Sequence, residues 1–150
     1  MVVLAIVLTA VICAAQNNPA KPKPSPTPIT AMDLQPIRSS PAYAELLLHR
    51  TELESNLDAL LVDYTEEYPK VKDIRLELGF LKVEMDRLLA VKPTDAAKLS
   101  QALGQLMLRK VEIETQLDAL RAQYKDDHPD VRKARKKVET YEAAIKEILG

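Results

Sequence analysis

The residues best suited to chemistry surround the second of two histidines. His128 has Asp126, Asp127 and Asp130 beside it, an imidazole and three carboxylates of the types that hold zinc. Two features weigh against a metal. Pro129 constrains the backbone between the donors, and a matching stretch earlier in the chain offers Glu66, Glu67, Tyr68 and Lys70 instead. His49, the other histidine, falls in a different helical segment. Capping and solvation of a bend account for the acids better, because carboxylates just ahead of a helix favour its positive end. No nucleophile–base pair or Glu/His metal motif stands out, and Gly79, Gly104 and Gly150 are too scattered for a phosphate loop. The sequence predicts a non-enzymatic protein with no catalytic residue, metal or cofactor.

The elements that position these residues are written twice. Leu57-Asp58-Ala59-Leu60, Tyr64, Pro69 and Val71 return sixty residues later as Leu117-Asp118-Ala119-Leu120, Tyr124, Pro129 and Val131. Proline fits the first turn of a helix, fits badly inside one, and pushes the preceding residue out of the α region. One helix must therefore end near Tyr64 or Tyr124 and the next begin at Pro69 or Pro129. Tyr64, Pro69, Val71, Tyr124, His128, Pro129 and Val131 are the predicted bend residues, with the tyrosines packing at the tip. So short a connection makes the flanking helices antiparallel neighbours.

Apolar residues recur at three-four spacing on both sides of each bend. The first helix begins near Pro41 and carries Tyr43, Leu46, Leu53, Leu57, Leu60 and Tyr64. The second carries Val71, Ile74, Leu78, Leu81, Met85 and Leu88. After a break at residues 91–95, where Thr94 or Asp95 could cap a new helix, the third carries Leu99, Leu103, Leu106, Ile113, Leu117, Leu120 and Tyr124. The fourth carries Val131, Ala134, Val138, Tyr141, Ile145 and Ile148. Arg75 matches Arg135, and Leu89 matches Leu149. The predicted fold is all-α: two duplicated, coiled-coil-like antiparallel hairpins, residues 43–91 and 95–150, forming a four-helix bundle over residues 42–150. A hairpin pair that dimerises is the alternative.

Residues 2–15 are uncharged and nearly all apolar, too short to span a bilayer comfortably but suited to a signal peptide cleaved after Ala15. Lipidation at Cys13 and an uncleaved anchor are the competing readings. Residues 16–41 are proline-rich and predict an extended, disordered linker. These features place the protein outside the cytoplasm, in the periplasm or cell envelope.

The two hairpins differ on their outer surfaces. Leu76, Phe80 and Val83 fall opposite the main stripe of the second helix, where the fourth has Lys136, Thr140 and Ala143. Either the second helix sits more deeply, or the three residues form a partner surface. Arg132, Lys133, Arg135, Lys136 and Lys137 cluster on the fourth helix and could meet anionic lipid or glycan, against the plainer reading of a solvated face paired with acids of a neighbouring helix. The net charge of −1 gives no global pull toward nucleic acid. Protein partners, through self-association or an envelope component, are expected.

Leu120, Tyr124, Asp126, Asp127, His128, Pro129 and Val131 resemble the periplasmic coiled-coil segment of exopolysaccharide chain-length determinants. These are the polysaccharide co-polymerases, including those fused to bacterial tyrosine kinases. The first copy matches with Tyr68 in place of His128, and the resemblance covers roughly residues 43–150. It implies an envelope location and helical packing. That family's flanking membrane helices, its mixed α/β region and its kinase are not found in this sequence, so neither catalysis nor control of polymer length is implied. The expected function is a helical scaffold or interaction protein of the bacterial envelope, an accessory to polysaccharide export. The alternative is a small periplasmic chaperone or metal/stress sensor.

Overall fold

A computed structural model describes residues 34–150. The expected signal peptide and most of the expected linker lie outside the described residues. The chain forms α1 (Gln35–Arg38), α2 (Pro41–Asp63), α3 (Pro69–Leu89), a 3-10 helix (Pro93–Lys98), α4 (Gln101–Gln123) and α5 (Pro129–Leu149). No strand occurs among the described residues, and none of their helices is long and apolar enough to cross a membrane.

The two duplicated hairpins are present, α2–α3 and α4–α5, and each second helix opens on the expected proline. Tyr68 and His128, the residues before the prolines, have ψ of 129° and 137°, outside the helical region. The repeat also extends to the starts of the hairpins. Ser40 and Ser100 cap α2 and α4, each hydroxyl accepting from the backbone N–H three residues on, at 3.3 and 3.4 Å. The cap of α4 is therefore Ser100, not Thr94 or Asp95, which sit in the 3-10 helix. Leu99 is buried as expected, but in the connection before α4, where its carbonyl accepts from the Ala42 N–H at 3.2 Å. The packed region also reaches into the stretch read as linker, since Ile37 of α1 is fully buried against the core.

The packing is less even than in a regular four-helix bundle. α4 is the hub, touching α2, α3 and α5, while α3 touches both α2 and α4. The main core joins both hairpins through Leu46, Leu81, Leu88, Leu103, Met107 and Ile145. Toward the second bend a smaller cluster of Leu117, Val131 and Ala134, with Leu120 and Val138, belongs to α4 and α5 alone. α4 buries Met107, Lys110 and Val111, which the three-four stripe left out. They are buried because α4 is covered on more than one side. Gly104 marks its crossing with α2: a Cβ there would stand 3.0 Å from Ala42 Cα and 3.1 Å from Glu45 Cβ.

Candidate functional site

Each bend is held by the same three devices. The chain leaves the first helix at a tyrosine, and that ring stacks on the residue before the proline. Tyr64 lies on Tyr68 with centroids 4.1 Å apart, and Tyr124 on His128 at 4.2 Å. An arginine two turns into the next helix then reaches back to the first acid of the bend. Arg75 Nε donates to Glu66 at 2.6 Å, and Arg135 donates to Asp126 at 2.7 Å. The hydrogen bond to Arg75 holds the Glu66 carboxyl below its usual range against a small opposing effect of burial. These acids thus act as ion-pair clamps rather than as plain dipole partners. The proline is the third device. Arg75 and Arg135 were visible as a matched pair in the sequence, and the aromatic partners stand four residues apart in both copies.

His128 serves the second bend itself. Its Nδ1 accepts from the Asp130 N–H at 3.2 Å and so caps α5. Among the described residues no group of three His, Cys, Asp or Glu side chains converges as a metal site would require. Tyr64 and Tyr124 remain nearly half exposed at the tips, while Val71 and Val131 are fully buried beneath them.

Leu76, Phe80 and Val83 do not make one exposed patch. Val83 is 61% exposed and Leu76 half-buried. Phe80 packs against the main core and into the space between the hairpins, facing Leu117 of α4 and Val138 of α5. One turn on, the same face of α3 carries charge into the interior. Glu84 is 1% exposed and accepts from Lys110 Nζ at 2.5 Å. Lys110 also lies 3.2 Å from Glu114 and 3.4 Å from Glu142, and Arg87 donates to Glu142 at 3.0 Å. Burial pulls the Lys110 pKa down, but the hydrogen bond and charge of Glu84, with Glu114, leave it raised. Burial likewise pushes Glu142 up, but Arg87 and Lys110 hold it below the ordinary carboxylate range. Phe80 is apolar because α3 lies between α2 and the second hairpin, whereas Val83 stays exposed.

The basic cluster sits on the open side of α5. Arg132, Lys133, Lys136 and Lys137 are exposed, whereas Arg135 is committed to the bend. Lys133 lies 3.5 Å from Asp130 and Lys136 3.0 Å from Glu139, so both pair within their own helix rather than across to another. Among the described residues Arg132 and Lys137 form no ion pair within 4 Å. Helix α2 exposes Leu48 at 59% and Leu47 at 37%. No protein-family profile, no curated protein and no solved structure matches this chain.

Proposed function

We propose that this chain is a non-enzymatic helical scaffold of the bacterial envelope that works by joining helix surfaces. The observation that carries the reading is the way α3 joins its neighbours: Phe80, Glu84 and Arg87 of one hairpin lock into α4 and α5 of the other. Among the described residues the first hairpin thus carries a surface that joins it to the second. Leu47, Leu48 and Val83 remain exposed on the first hairpin for further contacts. The apolar residues 2–15 support export, and the resemblance of the bend residues to those of polysaccharide co-polymerases supports a place beside polysaccharide export.

A photo-crosslinking residue at Leu48 or Val83, in cells of the source bacterium, tests this reading. The expected result is an envelope-associated chain crosslinked to a defined protein, either another copy or a membrane component of polymer export. Recovery of the chain from the cytoplasm, or an envelope chain without adducts from either position, overturns it.

A further inference from the structure

The sixty-residue repeat makes it possible to ask which surfaces of one hairpin are used inside the chain while their counterparts on the other are not. Both α2 and α3 pack on α4, and α3 lies against a surface with Lys110, Glu114, Val138 and Glu142, continued by the core residues Ile145 and Leu149. The counterparts sixty residues earlier are Arg50, Glu54, Leu78, Lys82, Met85 and Leu89, and these line one groove on the surface of α2 and α3. That groove is open. The Lys110 side chain is 10% exposed but that of Arg50 is 40%. Met107 is fully buried, but its counterpart Leu47 is 37% exposed. Gly104 is buried under Ala42, whereas Ala44 is exposed.

The surface that would fill the groove is also present and also free. The counterpart of the docking face of α3 is the outer face of α5, where Thr140, Ala144 and Glu147 stand in for Phe80, Glu84 and Arg87. One charge pair is exchanged as a unit, while Ala144 offers Arg50 no counterpart of the Glu84 carboxylate. Arg87 meets Glu142 inside the chain at 3.0 Å, and the corresponding pair is Glu147 with Lys82, again of opposite sign but reversed. Small residues recur where the helices cross, with exposed Ala102 and Ala44 in place of Ala42 and Gly104. Thr140, the counterpart of Phe80, would come toward Glu54 and Asp58 as Phe80 comes to Glu114 and Asp118.

We infer that the open groove of the first hairpin receives α5 of a second copy of this chain, repeating between molecules the packing found within one. The contact joins two different surfaces, so each molecule keeps one free groove and one free α5 face, and the assembly grows head to tail. Thr140 and Ala144 bury less apolar surface than Phe80 would, so the joint between copies is weaker than the joint within a chain. This inference rests on the scaffold reading and names its partner.

Two variants of the full chain test it by sedimentation across a range of concentrations, with circular dichroism confirming unchanged helix content. Leu47→Glu with Lys82→Glu disables the groove and leaves α5 intact. Thr140→Arg with Glu147→Lys disables the α5 face and leaves the groove intact. Wild type is expected to form a concentration-dependent series of oligomers, and each variant alone to shift toward monomer by at least tenfold in concentration. An equal mixture should form a dimer and stop there, because only one competent joint remains. The charge-exchanged chain Lys82→Glu with Glu147→Lys should associate more tightly than either single variant. A wild type that stays monomeric, an α5-face variant that associates like wild type, or a mixture that forms no dimer overturns the inference. None of these outcomes depends on envelope location, so the scaffold reading can survive a failure here.

Discussion

Two glycines in helix interiors have opposite surroundings. At Gly79 a Cβ would meet nothing within 4 Å, whereas at Gly104 it would press on the Ala42 backbone. Gly79→Ala should therefore stabilise the protein by about 0.8–1 kcal/mol, the ordinary helix-propensity gain. Gly104→Val should cost about 1–3 kcal/mol through overpacking. Thermal melts of the two variants should move in opposite directions. The charged cluster invites a second test. Lys110→Met leaves buried Glu84 with only the 3.7 Å approach of Arg87 and should cost about 3 kcal/mol, and adding Glu84→Leu should recover much of the loss. The cluster also sets a pH window. Lys110 has a raised pKa in the fold. Its contribution is complete below the ordinary lysine value of about 10.4 and is lost as pH rises through the higher folded value. Glu142 has a lowered pKa. Its contribution is complete above about pH 4.3 and is lost as pH falls through the lower folded value. Glu142→Gln should therefore make the acid limb of a stability–pH curve shallower below about pH 4.

At the scale of elements, the bend is fixed more than once. Proline, the aromatic stack and the arginine clamp each restrain the same few residues, so removal of one leaves two. Pro129→Ala alone should keep the hydrodynamic radius of the wild type. Pro129→Ala with Arg135→Ala and Tyr124→Ala should let α4 and α5 run on as one helix and increase it, as size-exclusion chromatography would show. The helices and both bends were legible in the sequence because they depend on local signals, proline position and three-four spacing, that each hairpin carries for itself. The stack and clamp were half legible, since their residues repeat while their pairing needs coordinates. The burial of Lys110 and Glu84 was not legible. A charged residue off the stripe reads as solvated unless one knows which third helix lies over it. The same limit made Phe80 look like part of an outer patch, when its depth comes from packing between hairpins.

At the scale of the molecule, the two clusters imply uneven cooperativity. The main core draws on both hairpins, so opening its central part around Leu46, Leu81, Leu103 and Met107 separates α2–α3 from α4–α5. The cluster of Leu117, Val131 and Ala134 involves only α4 and α5 and can open while the main core stays closed. Native-state hydrogen exchange should show amides around Leu117–Leu120 and Ala134–Val138 opening at lower free energy than those around Leu81–Met85 and Met107–Val111. Phe80 is the apolar link between the two regions, because it packs on the main core and also faces Leu117 and Val138. A fully buried Phe→Ala change costs about 3–5 kcal/mol, and Phe80 is only half-buried, so Phe80→Thr should cost about 2 kcal/mol. Val83→Ala should change little, because that side chain is 61% exposed. If Phe80 couples the clusters, its loss should widen the gap in exchange protection between the second bend and the main core. A uniform fall in protection across α3, α4 and α5 would show instead that the protein opens as a single unit.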